Sequence, residues 1–422
     1  MLIEFSVSNF RSFRDRQTLS MVAAPRLRRR ENTFKPDLQK SAFPALLKVA
    51  AIYGANASGK SNLVAAVHSV VTMANLESRA TPERLPVDSF RFDSSLSREP
   101  SRFEVNFIAE RQRYEFELHA TQDRIEFESL IAYPNGKATP LYSRSHRNGR
   151  DNYEFGPQLE GSKDLHETWS KSTGPARLFL SQAVANSSEE LRQLRAPFEW
   201  LSGGGLYEIT GVGLGAFARR AQSFMRDNPS IVKRLTTFIR DLDIPVVNMQ
   251  FEPAPPLLGD ALAGSVNTID GSLSSAAAIR TTFTHKTALG EASFDFDDES
   301  TGTQNLIGFF LPWMVLSTDK PAGWRALVLD ELDSSLHPKI IAELIRRHLR
   351  SETHSQLIFT THDTHLMDTR QLRRDQIWLT ERDKNGATLL RAVHEFEGRE
   401  SEDLEKRYYE GRYRGLPILR SE

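Results

Sequence analysis

The chain has 422 residues, and its 54 Lys and Arg stand against 55 Asp and Glu, a formal charge of -1 that leaves no global positive excess to attract a polyanion. With 39% apolar and 9% aromatic residues, and 24 Gly and 20 Pro spread along it, the composition is globular rather than disordered or collagen-like, and the length suits about two to three structural units. The absence of cysteine excludes disulfides, thiolate zinc sites and cysteine nucleophiles together.

The opening, MLIEFSVSNFRSF, has no apolar segment of signal-peptide type, and no window approaches 18 consecutive apolar residues. A cytoplasmic protein without a membrane span is therefore expected. Residues 2–7 alternate with period two and predict a strand with one buried face. Residues 46–53 (LLKVAAIY) form a near-continuous apolar run, as in a strand covered on both faces, and a helix is expected over 60–74. Between 103 and 133 the stretches FEVNFIA, YEFELHA and IEFESLIAY predict an antiparallel meander. The middle, about 135–280, is less regular. Residues 146–152 read as a polar loop, 189–201 as a helix broken at 202–205, 229–242 as an amphipathic helix, 246–251 as a strand and 253–275 as a mobile surface connection. No heptad run or fixed-period repeat is present, which argues against a long coiled-coil arm. After 281 a helix (303–316), strand (326–329), helix (338–349) and strand (356–360) alternate, the pattern of a parallel sheet with helices on its faces.

The segment Gly54-Ala55-Asn56-Ala57-Ser58-Gly59-Lys60-Ser61 matches GxxxxGK[ST], directly after a buried strand and before a helix. Backbone N–H groups and a helix N-terminus would cradle phosphates there, Lys60 would meet the β/γ phosphates, and Ser61 would ligate Mg²⁺. Gly54, Asn56, Ser58, Gly59, Lys60, Ser61 and Asn62 are the expected nucleotide-binding residues. Downstream, an apolar strand ends in Asp330-Glu331. An acidic pair at a strand end is ordinarily a solvated terminus, but beside a phosphate loop Asp330 suits the Mg²⁺ shell and Glu331 suits the deprotonation of an attacking water. The strand 357–361 leads into His362, which in the same setting is expected to contact the γ-phosphate or that water. The runs Arg26–Arg30 and Arg346, Arg347, Arg350 are ordinarily solvated faces, with phosphate backbones as the alternative, and no nuclease constellation is visible.

Together these residues resemble the ATP-binding-cassette type of P-loop ATPase, in the soluble branch shared with RecF and the SMC proteins, over about 1–75 and 290–395. The resemblance implies an α/β ATPase head with a mixed sheet, an antiparallel β subdomain, an inserted helical segment and no long coiled coil. It suggests that Arg11, within Asn9-Phe10-Arg11-Ser12-Phe13, reaches the nucleotide phosphates. It matches Ser300-Thr301-Gly302-Thr303-Gln304 to the signature segment, so that Ser300 and Gly302 would bind the γ-phosphate of ATP held by a second subunit. It also assigns Asp333 to the D-loop, His337-Pro338 to a variant of overcoming-lysogenization-defect-like and RloA-like ATPases, and His362 to the switch histidine. The full Leu-Ser-Gly-Gly-Gln of transporters is missing, and no residue stands clearly at the Q-loop. A closer likeness is to the bacterial AAA15/AAA21-type ATPase domain families, RloA/AbiL-like. It is carried by Phe90-Arg91-Phe92-Asp93 with Pro100–Glu104, by the 333–338 run, and by the ending Tyr408–Pro417.

These readings imply an N-terminal lobe over 1–134, a largely helical insert over 135–280, a C-terminal lobe over 281–395 and a tail over 396–422 that packs on the core or on a partner. They imply a Mg²⁺- and ATP-dependent hydrolase that forms a homodimer through two shared ATP sites. It would act as a switch in anti-phage defence with a separate, nuclease-like effector. The rivals are a RecF-like DNA-binding repair ATPase and an assembly scaffold with little turnover. A nucleic-acid partner stays open; a membrane partner is not expected.

Overall fold

The computed structural model describes residues 1–38, 42–76, 84–209, 213–253, 279–317, 326–334, 336–400, 402–413 and 415. The chain divides into two compact units: Met1–Thr210 with Val315–Asp333 and Ile341–Glu422, and Gly211–Met314 with Ser334–Ile340.

In the first unit, β1 (Leu2–Ser8), β2 (Gln17–Ser20), β3 (Thr33–Phe34), β4 (Leu46–Leu47) and β5 (Val49–Gly54) precede helix α1 (Lys60–Asn75). The meander follows as β6 (Ser101–Ala109), β7 (Gln112–Ala120), β8 (Ile125–Ala132), β9 (Thr139–Arg147) and β10 (Arg150–Phe155). After it come α2 (Lys163–Ser172), α3 (Phe179–Ala185), α4 (Arg195–Glu199) and β11 (Leu206–Ile209). The seven-stranded antiparallel sheet has the order β10-β9-β8-β7-β6-β1-β2. Alternation sets its buried face: Phe103, Val105 and Phe107 of β6 lie beside Tyr114, Phe116 and Leu118 of β7.

The second unit holds α5 (Gly213–Arg226), α6 (Pro229–Arg240), the antiparallel sheet of β12 (Val246–Pro253), β13 (Ile279–Thr287) and β14 (Gly290–Asp295), and most of α7 (Thr301–Leu316). Leu235, Phe238 and Ile239 of α6 are buried, as their spacing requires. The Phe238 ring packs 5.3 Å from that of Phe310 on α7.

The chain then completes the first unit with β15 (Ala326–Leu329), most of α8 (Pro338–Arg350), β16 (Gln356–Thr360), β17 (Ile377–Arg382), β18 (Thr388–Ala392) and α9 (Leu404–Tyr409). Its six-stranded sheet runs β11-β15-β16-β5-β17-β18, parallel except for the β17–β18 pair. Every residue of β5, β15 and β16 is buried, which is why those strands read as continuous apolar runs rather than alternations. One buried cluster joins Phe5, Phe103 and Phe116 of the antiparallel sheet to Ile52, Val328 and Ile358 of the parallel one and to Leu63, Val67 and Val70 of α1. Each such side chain contributes about 1.5–3 kcal/mol by leaving water. The buried Gln356 fixes the alignment of the two sheets, its amide accepting from Leu2 N (2.6 Å) and donating to Leu2 O (2.9 Å).

Two local expectations are corrected. Residues 146–152 are not a loop but the β9–β10 hairpin, turning at Asn148 and Gly149 with φ of 52° and 74°. The pair Asn-Gly is a two-residue hairpin signal, and the polarity of β10 reflects its place at the sheet edge, where alternate residues are exposed. The helix expected over 189–201 is confined to α4, followed by a wide helical turn at 200–204. Upstream, Gln193 gives its N–H to Glu160 and its side-chain amide to Gln158 O, so tertiary partners displace the helical ladder there. The segment 135–280 carries α2 to α6 but also strands β9 to β12. Most of the connection expected at 253–275 lies outside the described residues. Among the described residues the longest helices, α1 and α7, have 16 residues, too few for a long coiled-coil arm, and no helix is long and apolar enough to cross a membrane.

Candidate functional site

The strand β5 delivers Gly54 to the C-terminal edge of the parallel sheet, where α/β folds bind ligands. The loop that follows is set by two glycines. Gly54 has φ 154°, and a Cβ there would overlap Thr380 Oγ1 and come within 2.6 Å of Ser58 Oγ. Gly59, at φ 108°, caps α1; a Cβ there would overlap Thr388 Oγ1 and lie 2.9 Å from Ser12 Oγ. Between them Ala57 is left-handed at φ 61°, a conformation used in turns that gather successive N–H groups into an anion-binding concavity.

Hydroxyls back this loop. Ser58 Oγ meets Thr380 Oγ1 at 2.6 Å, and Thr380 donates to Tyr53 O at 3.1 Å. Thr388 Oγ1 is 2.8 Å from both Ser12 Oγ and Ser58 O, and Asn62 donates to Ser12 Oγ at 2.7 Å. Ser58 and Asn62 thus spend these groups inside the protein. Lys60, 6% exposed, donates to Gly54 O (2.8 Å) and Ala55 O (3.2 Å). Burial lowers the pKa of its ammonium, while the charges of Asp330, Glu331 and Asp333 oppose that shift. Asp330, Glu331 and Asp333 therefore lie close enough to Lys60 to oppose that shift, although its ammonium is hydrogen-bonded to the loop carbonyls.

Register explains that approach. Leu329 of β15 pairs with Phe359 of β16, and Thr360 with Ile52 of β5, so Asp330, the residue after β15, comes to the same sheet edge as Thr360 and Gly54, the last residues of two adjacent strands. Thr360 Oγ1 donates to Asp330 Oδ1 at 2.5 Å and accepts Glu331 N–H at 2.7 Å. Glu331 is exposed and left-handed, at φ 52°. Asp333 Oδ2 accepts the His362 N–H at 2.9 Å, which ties the loop after β15 to the loop after β16, and His362 itself is exposed. With Gly54, Ala55, Asn56, Tyr408 and Tyr409, His362 lines a cavity of about 990 Å³. Tyr53 also lines it, with its phenol pKa raised well above the ordinary value, by burial first and then by Asp363 and Asp333.

The tail joins the loop directly. Gly415 O accepts the Ala55 N–H at 3.0 Å and the Tyr408 hydroxyl at 3.1 Å. Thr364, two residues past His362, donates to Glu405 Oε1 at 2.6 Å and meets Tyr409 OH at 3.0 Å. Arg414 and residues 416–417 of the quoted ending lie outside the described residues. Arg11 stands at φ 49° on the turn after β1, with a half-exposed guanidinium 3.8 Å from Asp88. Its neighbour Asn9 donates to Leu96 O and Glu99 O and accepts the Phe90 N–H, so the NFRSF segment organises the 90–100 loop.

In the second unit Ser300 caps α7 by accepting the Thr303 N–H at 3.1 Å, and Gln304 donates to Phe296 O at 2.9 Å. Asn305, one residue past that segment, donates to Ser334 O (2.9 Å) and accepts the Gly215 N–H (3.0 Å). His337 accepts the Lys339 N–H at 3.2 Å.

The first unit therefore brings Gly54 to Asn62 together with Asp330, Glu331, Asp333 and His362. The donor set offered to a metal is hard oxygen: the Ser61 hydroxyl, exposed in the first turn of α1, and Asp330 Oδ2, since Oδ1 is engaged by Thr360. One carboxylate and one hydroxyl suit Mg²⁺ completed by phosphate oxygens and water. Sequence reasoning gave no site role to Ser12, Thr360, Thr380, Thr388 and Gly415. Ser12 in the NFRSF segment, Thr360 two residues before the histidine and Gly415 in the quoted ending stood in stretches already singled out, whereas Thr380 and Thr388 had no local signal.

A family model described as "AAA domain, putative AbiEii toxin, Type IV TA system" matches residues 49–368. Among solved structures the chain is similar to the SMC head domain from Thermotoga maritima, with 15% identity over 93% of this chain and 98% of that one and a TM-score of 0.38. It is similar to the SmcHead bound to the C-winged helix domain of ScpA, with 14% identity over 93% and 97% of the two chains and a TM-score of 0.40. A third is the Smc head domain with an extended coiled coil bound to the C-terminal domain of ScpA derived from Pyrococcus furiosus, with 13% identity, 93% and 97% coverage and a TM-score of 0.42. No curated protein matches the chain.

Proposed function

The chain belongs to this AAA-domain family, and we propose that it is a P-loop ATPase of the ABC type, of the RecF and SMC kind, that hydrolyses ATP as a homodimer switch in anti-phage defence. The observation that carries the hydrolytic reading is the placement at one sheet edge of the Gly54–Ser61 loop after β5 and of Asp330 and Glu331 after β15, with Thr360 of the strand between them bonded to both acidic residues. The loop amides and Lys60 would hold the β and γ phosphates. Ser61 and Asp330 would hold Mg²⁺, which when bound neutralises charge on those phosphates. Glu331 would accept the proton of the attacking water, and His362 would contact the γ-phosphate. Ser300 and Gly302 would serve the ATP of a second copy, so that nucleotide closes the dimer and hydrolysis loosens it.

The toxin and toxin–antitoxin wording of the family description is what favours a role in defence; a cytoplasmic location and a separate effector such as a nuclease are further parts of the proposal. A second reading, a RecF-like DNA-binding ATPase, draws on one observation. Arg29, from the first basic run, and Arg346 and Arg350, from the second, line a single pocket of about 750 Å³ with Lys48 and Arg370, against the acidic Glu31, Glu352 and Asp368 in the same lining. The deciding experiment is ATP turnover after mixing Lys60→Ala with Ser300→Arg, each inactive alone. Recovered activity is expected from the one intact composite site. No recovery from folded, subunit-exchanging variants would overturn the shared-site reading.

A further inference from the structure

Two consecutive acidic residues meet one hydroxyl that the catalytic assignment does not use. Thr360 is fully buried at the last position of β16, between the strand that carries the phosphate loop and the strand that ends in Asp330 and Glu331. Its Oγ1 has one proton and accepts through its lone pairs. Glu331 N–H occupies an acceptor site at 2.7 Å, and the single proton goes to Asp330 Oδ1 at 2.5 Å. The main chain adds a third tie, Leu332 N–H to Thr360 O at 3.1 Å.

The geometry points to Thr360 as the positioning residue that aligns both carboxylates for hydrolysis; this rests on the ATPase reading above. Two consequences follow from its two bonds. The bond to Asp330 fixes the carboxylate's rotation, leaving Oδ2 as the oxygen presented to a cation. The bond from Glu331 N–H holds the backbone where it turns left-handed, at φ 52°, a conformation a non-glycine residue keeps only when its surroundings impose it. The direction of the Glu331 side chain, and hence of its proton-accepting oxygens, depends on that turn. Valine has threonine's shape without the hydroxyl and would leave the Glu331 N–H and Asp330 Oδ1 unpartnered. Serine would keep both bonds.

The test compares wild type, Thr360→Val, Thr360→Ser and Glu331→Gln. It measures turnover, the Mg²⁺ concentration at half-maximal turnover, and the affinity for a fluorescent ATP analogue with and without Mg²⁺. For Thr360→Val the expected result is turnover lower by about 10- to 100-fold, the loss of a hydrogen bond to a charged group. The half-saturating Mg²⁺ should rise several-fold and the Mg²⁺-dependent gain in nucleotide affinity should shrink, while affinity without Mg²⁺ stays within about twofold of wild type. Thr360→Ser should restore all of these. A purely structural role would lower the melting temperature without moving the Mg²⁺ requirement of the folded fraction. If Thr360→Val does not fold, Thr360→Ala, which also lacks the hydroxyl, is read in the same way. Wild-type turnover and Mg²⁺ dependence in a hydroxyl-free variant, with Glu331→Gln inactive, would overturn the inference alone. Wild-type turnover in Glu331→Gln would instead overturn the reading on which it rests.

Discussion

Replacing Gly59 with alanine tests whether the loop geometry, rather than the Lys60 charge alone, makes the anion site. The new Cβ would sit at a φ of 108°, cost about 1–3 kcal/mol as a strained backbone conformation, and overlap Thr388 Oγ1. That hydroxyl has little room to retreat, because it lies 2.8 Å from both Ser12 Oγ and Ser58 O. Moving it forfeits about one to two hydrogen bonds of about 1 kcal/mol each. The sum, about 2–5 kcal/mol, corresponds to about a 30- to 4,000-fold loss of nucleotide affinity if the loop must reach its native form to bind. Fluorescence anisotropy with a labelled ATP analogue measures the affinity, and a circular-dichroism melt shows how much of the strain reaches the whole fold. Adding Thr388→Ala to Gly59→Ala removes the overlapping hydroxyl but not the φ strain, so it should restore only part of the loss. Binding within twofold of wild type in Gly59→Ala, at an unchanged melting temperature, would refute the view that the packed hydroxyls set the loop.

Glu331→Gln should lower hydrolysis by about 10²- to 10⁴-fold while nucleotide affinity changes little, trapping the ATP-bound state, which size-exclusion chromatography with ATP would show as persistent dimer. Lys60→Ala should weaken nucleotide binding itself by about 10- to 100-fold in the same anisotropy assay. His348 on α8 is buried, and burial lowers its pKa to about 4. Between pH 6.5 and about 4 the unfolded chain binds a proton that the folded chain refuses, so its contribution is full above pH 6.5 and is lost as pH falls, by about 1.4 kcal/mol per unit. Urea midpoints from pH 7 to 4.5 should fall less steeply for His348→Gln than for wild type; parallel slopes would remove His348 as the cause.

Several elements were legible because their pattern is local. The alternation of 103–133 specifies a half-buried sheet, and its strands pair as β6, β7 and β8. The runs that became β5, β15 and β16 are apolar throughout because both of their faces are covered. The hairpin at 146–152 was missed because edge strands need no apolar face, although its Asn-Gly turn was in plain view. The 189–201 helix failed because Gln193 finds partners at Gln158 and Glu160, more than thirty residues away.

By itself the sequence singled out the segments expected to carry phosphate chemistry. GxxxxGKS after a buried strand and an acidic pair ending another are local signals, since glycine conformation and strand burial are properties of short segments. Only the tertiary structure decided what holds those residues in place. Ser12 and Thr388 meet behind Gly59 from positions 376 residues apart. Thr360 reaches Asp330 across thirty residues, and the tail places the Gly415 carbonyl on the Ala55 amide. A hydroxyl carries no period and no composition, so its role is set by the atoms brought within three ångströms of it, and parallel-sheet register is what brings them there.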